Sequence, residues 1–418
     1  NEVKALIATS ALGMGFDKPD LGFVVHLGAP SSPVAYYQQV GRAGRATANA
    51  DVLLLPGAED QAIWHFFATN AMPTQPKADA VLSALAGLDR PLSVAALEAR
   101  VDIKRGPLEL LLKVLAVDGA VRSVKGGWVS TGEPWTYDAE RYGRIAAARQ
   151  QEQRAMLAYE QLDACRMAFL TAELDDPHAA ACGRCDVCAG PWYPTEVTLT
   201  SSRGAQTALD RVGVPLPPRA LWPSGLDTLD VKADGAAVKG RISPDELLAE
   251  GRAVARLSDL GWGAQLRELF SADREGNPID REVPPELGRA CLRVLKEWDW
   301  QERPVAVAWV PSLGRPRLVE SLATGIAAAG RLEILGPLGL RPHAGRLRGS
   351  TNSAYRVRDV WDRFVVPSDL AARLESVDGP VLLVDDLVDS RWTMTVAGRL
   401  LRRAGARAVL PLALGAVG

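Results

Sequence analysis

The chain has 418 residues, 48 basic against 50 acidic side chains, a formal net charge of −2 and 47% hydrophobic residues. That length predicts several domains, each with its own core, and the near-zero charge excludes a protein that coats nucleic acid through bulk electrostatics, leaving room for local basic patches. No apolar run reaches the ~18 residues of a membrane helix and no secretory apolar region opens the chain, so no membrane partner is expected. The excess of arginine over lysine, 39 to 9, reads as compositional bias. Asn1 stands where an initiator Met would, so the sequence is expected to be a fragment.

In chain order, Lys4 to Ala8 and Phe23 to Leu27 are short β-type runs, Ser32 to Val40 reads as a helix and Asp51 to Leu55 as a strand. Alternating strands and helices imply a mostly parallel α/β sheet. A Pro-containing joint, Met72 to Pro76, follows. Helix signals then cover 79–88, 93–100 and 107–117, with Ser93 as N-cap and Pro107 in a first turn. Ala120 to Val124, a Lys125-Gly126-Gly127 turn and Trp128 to Ser130 predict a hairpin, completing a winged-helix pattern. The third helix is apolar nearly all round, which favours packing or strand separation over groove reading. Residues 136–175 are helical and charged, with Arg141, Arg144, Arg149 and Arg154 spread round the helix. Residues 190–245, rich in Pro, Gly, Thr and Ser, read as a loosely ordered connector or small module, and Pro244 to Phe270 as a return to helix on the spacing of Glu246, Glu250, Arg252, Arg256 and Arg267. A second α/β pattern follows: helix 285–298, strand 304–310, helix 316–329, strand 380–384 and helix 393–404. The expected fold class is therefore multidomain α/β, with borders at 1–75, 76–135, 136–192, 193–280 and 281–418.

Four of the five cysteines, Cys165, Cys182, Cys185 and Cys188, sit within 24 residues. Two C-x2-C steps sharing their middle cysteine, with a fourth thiol upstream, suit tetrahedral zinc; four sulfurs close the coordination sphere, so the site is structural. Gly183 relieves the tight turn, and His178 is not needed as a ligand. Cys291 stands alone in a helical stretch as an apolar filler. Clustered thiols at metal spacing argue for a cytoplasmic protein, nucleoid-associated if bacterial.

Near the amino terminus, Thr9 to Asp20 contains Gly13 and Gly15, which allow tight loops near a ligand, and Gln38-Gln39-Val40-Gly41-Arg42-Ala43-Gly44-Arg45 places Arg42 and Arg45 three apart at a loop-to-helix junction. Two guanidiniums so spaced suit a polyphosphate approached from outside the domain that binds it. Together these segments resemble motifs V and VI of superfamily 2 helicases of the RecQ family. The resemblance implies a partial RecA-like lobe, motif VI positions for Gln38, Arg42 and Arg45, one of the arginines acting as finger, and a motif V, with Gly15 and Asp17, that couples nucleotide state to the DNA backbone. It implies ATP and Mg²⁺ as cofactors and DNA, single-stranded or tailed, as partner, with 3′→5′ unwinding in DNA repair. The cysteine spacing also resembles the RecQ zinc-binding domain, although here the winged-helix pattern precedes the cysteines. No Gly-Lys dipeptide occurs, so no Walker A lysine is present and the chain is not expected to hydrolyse ATP alone.

At the other end, Val381 to Val384 reads as a buried strand running into Asp385-Asp386-Leu387-Val388-Asp389-Ser390-Arg391-Trp392-Thr393. Two carboxylates at a strand end suit ribose hydroxyls or a Mg²⁺-associated diphosphate, and the loop enters a helix whose free N–H groups suit a phosphate. This run resembles the PRPP-binding motif of type I phosphoribosyltransferases, with Asp385, Asp386, Asp389, Ser390, Arg391 and Thr393 at the ligand. Pro311 to Arg315 falls at that family's pyrophosphate loop, and Arg346 to Arg358 at its mobile basic loop, closest to the ComF-like group. Arg391 stands where the family has Gly. The best reading is the C-terminal part of a RecQ-like helicase carrying such a domain; the alternatives are a salvage transferase with a DNA-binding tether and a non-catalytic nucleotide-sensing scaffold.

Overall fold

The computed structural model describes residues 4–9, 18–70, 74–88, 90–194, 196–342, 344 and 349–417. Gly15 and Asp17, with most of the motif V stretch, and Arg346 lie outside the described residues. The chain divides into two compact units, Asn1–Asp79 with Leu110–Ala120 and Thr131–Glu196, and Ala80–Glu109 with Val121–Ser130 and Val197–Gly418.

The first unit opens with β1 (Phe23–Leu27), α1 (Pro33–Val40), β2 (Asp51–Leu55) and α2 (Asp60–Asn70). β1 and β2 pair in parallel, as consecutive strands joined through a helix must. Among the described residues the expected strand at Lys4 to Ala8 is not paired, and Leu6 and Ile7 are exposed. Next in the chain come α3 (Gln75–Leu85) and α5 (Arg105–Val117), each divided between the units, and α4 (Val94–Glu98) and the hairpin β3 (Val121–Val124) and β4 (Gly127–Ser130), which belong to the second, all close to the expected positions. The Ser93 Oγ accepts from the Ala96 N–H at 3.2 Å, the cap its sequence position promises. The predicted helix 136–175 is two, α6 (Ala139–Glu160) and α7 (Arg166–Ala172), followed by the short α8 (Asp186–Ala189). In the first unit α1, α2, α6 and α7 share one core of Tyr36, Val40, Trp64, Met156, Tyr159 and Leu170.

The second unit adds α9 (Leu199–Leu209), β5 (Val214–Leu216), the small ladder β6 (Lys232–Ala233) and β7 (Ala236–Ala237), β8 (Gly251–Arg256) and α10 (Trp262–Leu269). It continues through α11 (Pro285–Glu297), β9 (Ala306–Trp309), α12 (Pro316–Gly330), β10 (Glu333–Pro337), β11 (Gly339–Leu340), α13 (Ser353–Trp361) and β12 (Phe364–Val365). It ends with α14 (Ser368–Leu374), β13 (Val381–Val388), α15 (Trp392–Arg403) and β14 (Val409–Ala416). Six strands form a sheet in the order β10-β9-β13-β14-β8-β5, all parallel except the edge strand β5. A parallel sheet buries both faces. One face packs α13, α14 and α15 with Trp222, Leu226 and Val231, and the other packs α10, α11 and α12, with Cys291 buried.

Two expectations are corrected here. Residues 193–280 are not a connector: β5 and β8 lie in the same sheet as β13, and Trp222 is in its core. The helix expected over Pro244 to Phe270 contains strand β8, because Ala253, Val254 and Ala255 fill a slot beside β14 where charge spacing along the chain has no influence. From β9 the chain steps outward to β10 and returns to β13 on the other side. That reversal opens a crevice at the carboxyl ends of β9 and β13.

Candidate functional sites

In the first unit, Ser32 caps α1, its Oγ accepting from the Ala35 N–H at 3.1 Å, and Pro33 presets the first helical turn. The helix turns Tyr36 and Val40 inward and leaves Gln38 exposed. Gln39 reaches β1, its Oε1 lying 2.8 Å from the His26 Nε2, and the His26 ring meets Tyr36 edge-on at 5.1 Å. Gly41 closes the helix by donating to the Tyr37 carbonyl at 2.9 Å, and Gly44 turns the chain with a φ of +77°. Arg42 and Arg45 therefore follow a helix carboxyl end, not the loop-to-helix junction expected; Gly41 caps the helix just before Arg42. Arg42 is half-buried, and Arg45 is exposed with its Nε donating to the Gly41 carbonyl at 3.3 Å. Asp60, unnoticed in the sequence, is buried and accepts from Ala29 N at 2.7 Å and Gly57 N at 2.8 Å, while Trp64 Nε1 donates to the Ala29 carbonyl at 2.9 Å. These bonds fix the loops that leave β1 and β2.

The same core leads into the cysteines. Tyr159 packs on Tyr36 and Phe169, and Cys165 begins α7 one residue before Arg166. The four Sγ atoms of Cys165, Cys182, Cys185 and Cys188 lie within 4.8 Å of one another, and His178 is not among them. Gly183 takes a φ of +69°, the left-handed turn expected of it. Burial works against a Cys165 thiolate, but N–H donors from Ala168 and Cys182 and the neighbouring thiols outweigh it and bring its pKa down to about 6. Arg166 forks onto Asp186 at 3.2 and 3.1 Å and donates to the Tyr159 carbonyl at 2.7 Å, tying the residues beside Cys165 and Cys185 together. Four converging thiols with an anchored backbone can hold a zinc ion. By contrast, burial pushes the Cys291 thiol up to about 12, as befits a core filler.

In the second unit a cavity of about 250 Å³ opens at the end of β13, lined by Asp385, Asp389, Ser390, Arg391, Thr393 and, from α13, Arg356 and Asp359. Of the two carboxylates, Asp385 lines this cavity and Asp386 does not. β13 runs on to Val388, and side chains alternate along a strand, so Asp385 faces the cavity while Asp386 lies on the other face with Arg315 at 3.8 Å. Burial pushes the Asp385 carboxyl well above the usual range, with the Asp386 charge adding to it; Asp386 is raised by burial and pulled back by Arg315. Asp389 is paired with Arg356, whose Nε donates to the Ser350 carbonyl at 2.7 Å. The basic segment expected to be one loop is helical from Ser353, where Asn352 caps α13.

Arg391 sits in the left-handed region, φ +68°, at the N-cap of α15, and no side chain caps that helix. An L-residue there costs about 1–2 kcal/mol. Its guanidinium is turned to the Pro217 carbonyl at 2.6 Å, and Arg219 answers by donating to the Ser390 carbonyl at 3.1 and 2.9 Å while lying 4.8 Å over the Trp392 ring. Burial and the Arg391 charge hold the Arg219 pKa below its ordinary value. Arg219, Arg356 and Asp359 escaped sequence reading because each is a single polar residue whose partners lie in other elements; only the basic run 341–358 hinted at Arg356.

Residues 1–47 match the family of the helicase conserved C-terminal domain. A 60-residue stretch is 48% identical to the mouse ATP-dependent DNA helicase Q1, covering 14% of this chain and 9% of that protein. The ATP-dependent DNA helicase RecQ of Bacillus subtilis (strain 168) is 39% identical over 66 residues, 16% of this chain and 11% of the relative, and the RecQ-like DNA helicase blm-1 of Caenorhabditis elegans 53% over 45 residues, 11% and 5%. The shared stretch is thus a small part of each relative, and it contains Gln38, Arg42 and Arg45 on α1 and its carboxyl end. With these residues in place, the amino-terminal segment of this chain is similar to the helicase conserved C-terminal domain and to short stretches of RecQ-type DNA helicases.

Proposed function

We propose that the chain is the C-terminal portion of an ATP-dependent, RecQ-like 3′→5′ DNA helicase with a structural zinc site. The observation that carries the reading is the shared core of the first unit: the helix that precedes Arg42 and Arg45 packs through Tyr36 on Tyr159, six residues before the first zinc-type cysteine. Arg42 and Arg45, following a helix end, would stabilise negative charge on the γ-phosphate of ATP bound with Mg²⁺ by a separate lobe, as an arginine finger does. The partner is single-stranded or tailed DNA, met in the cytoplasm or, in a bacterium, at the nucleoid, and the winged-helix-like stretch packs or separates strands. When bound, zinc supplies no chemistry beyond holding Cys165, Cys182, Cys185 and Cys188 together.

The test is unwinding of a tailed duplex by the protein carrying its nucleotide-binding lobe, with Arg45→Ala and Arg42→Ala variants. One of the two is expected to lose about 10³-fold or more in ATP turnover while retaining DNA binding. Unwinding that survives both substitutions overturns the assignment. Residues 1–418 alone are expected to give no DNA-stimulated ATP hydrolysis.

The cavity of the second unit favours a second activity in the same chain. Its position at the sheet reversal, with Asp385 and Asp389 on one side and Ser390, Thr393 and the uncapped start of α15 on the other, suits a phosphorylated ribose such as PRPP with Mg²⁺. Arg391 clears the phosphate because Pro217 holds its guanidinium away from the loop. Calorimetry with PRPP and Mg²⁺ tests the reading; absence of heat and of protection at 385–393 removes the site. With binding but no transfer to any base, the domain acts as a nucleotide-level sensor and not as a salvage transferase.

A further inference from the structure

We propose that Asp102 is a positioning residue for the carboxy-terminal cavity, holding the cavity's lip from the α4–α5 turn, a segment far from the sheet in sequence. The proposal rests on the reading of that cavity as a phosphoribosyl site.

Val101 and Ile103 are buried and Asp102 between them is half-buried, so the turn after α4 presents one carboxylate outward between two apolar anchors. Its Oδ1 accepts from the Thr351 N–H at 2.9 Å and the Asn352 N–H at 2.8 Å. Thr351 Oγ1 donates back to the Asp102 carbonyl at 3.1 Å. Asn352 is only 2% exposed; its Nδ2 donates to the Glu98 carbonyl at 2.9 Å and its Oδ1 accepts from Ala354 N at 2.7 Å, starting α13. A carboxylate at a helix start also meets the positive end of the helix dipole. The same turn is gripped on a second side. Gly225, with a φ of +91°, sits so close that a Cβ would fall 2.3 Å from the Ala99 Cβ, and Thr228 Oγ1 donates to the Ala99 carbonyl at 3.2 Å. The 98–103 segment, itself part of the second unit, is thereby held in place before any ligand arrives.

From Thr351 the route to the cavity is one residue. Ser350, which lines the cavity, donates its Oγ to Asp359 at 2.5 Å, and its carbonyl receives the Arg356 Nε at 2.7 Å. Arg356 in turn pairs with Asp389 at the cavity floor. The placement of the one α13 guanidinium at the ligand loop therefore depends on the Ser350 carbonyl, and that carbonyl on the two N–H groups that Asp102 holds. A lip fixed in advance does not have to be ordered by the ligand, so affinity rises by the conformational freedom already removed. Linkage is reciprocal: a ligand that engages Arg356 must also tighten the 98–103 segment.

The experiment uses the full chain and PRPP with Mg²⁺ as probe, with calorimetry of wild type, Asp102→Ala and Asp102→Asn and amide exchange of the unaltered chain with and without probe. Wild type is expected to bind; Asp102→Ala to bind about tenfold more weakly; and Asp102→Asn, which keeps an acceptor oxygen, to stay near wild type. Amides 98–103 and 350–354 are expected to exchange more slowly once PRPP is bound. Equal affinity of Asp102→Ala and wild type, or PRPP binding without slowed exchange at 98–103, overturns the positioning role while leaving the cavity assignment intact. Should Asp102→Ala not fold, the exchange measurement on wild type alone decides. A wild type that binds no PRPP fails the cavity reading itself, and the positioning role falls with it.

Discussion

The two units of this protein present opposite relations between recognisable sequence and physical structure. In the first, 47 residues match a known family, yet the paired strands β1 and β2 leave Phe23, Val25, Leu27, Val52 and Leu55 exposed, and the core is a short list of side chains around Tyr36 and Tyr159. In the second, a six-stranded sheet is buried on both faces, with strand residues such as Leu382, Leu383 and Val384 fully inaccessible. Its stability is built from apolar area, which many sequences can supply. Motif VI is instead a set of particular polar groups for which few residues substitute. Recognisability tracks the chemistry that demands one residue; stability tracks packing.

The largest effect that would break this contrast concerns the thiols. If four cysteines replace a large core, Cys182→Ser or removal of metal should cost the first unit on the order of 10 kcal/mol. Amide protection over 139–189 should collapse while that over 251–416 is kept. Loss of protection in both units, or in neither, would dissolve the distinction.

A smaller effect tests whether the stretch 193–280 truly belongs to the sheet. Trp222 stacks on Trp392 at 5.9 Å and meets Trp361 edge-on at 5.2 Å. Trp222→Ala is expected to lower the unfolding free energy of the second unit by about 3–5 kcal/mol, read from denaturant melts. A neutral outcome would restore the connector reading.

The smallest effect sharpens the comparison at the cavity. Asp385 has its pKa raised by burial, so between the unfolded value and the raised folded value the native state holds more protons than the unfolded chain. Stability from this group is full at low pH and declines as pH rises through that window. Asp385→Asn removes the decline and keeps the acceptor for the Asp386 N–H, 2.9 Å away. It should stabilise the second unit by about 0.5–2 kcal/mol at pH 7 and by nothing measurable near pH 3, at the expense of ligand binding. A gain that is equal at both pH values would mean the carboxyl is not titrating as its burial requires.

By itself the sequence determined the elements whose signals are local. Ser93 caps a helix where it was expected, Asp51–Leu55 and Phe23–Leu27 are strands to the residue, and the C-x2-C spacing brings three of four thiols together because a knuckle needs only its near neighbours and a turning Gly183. Only the tertiary structure decided matters that involve distant partners. Strand β13 continues past Val384 because β14 offers pairing as far as Ala416, and that continuation sends Asp385 and Asp386 to opposite faces. Arg391 holds a left-handed backbone and looks away from its loop because Pro217, 174 positions earlier, accepts its guanidinium. Asp102 acquires its partners 249 and 250 positions later. Caps, turns and ligand spacing are decided within one or two turns of chain, whereas the direction of a buried charge is set by whichever group the fold brings to it.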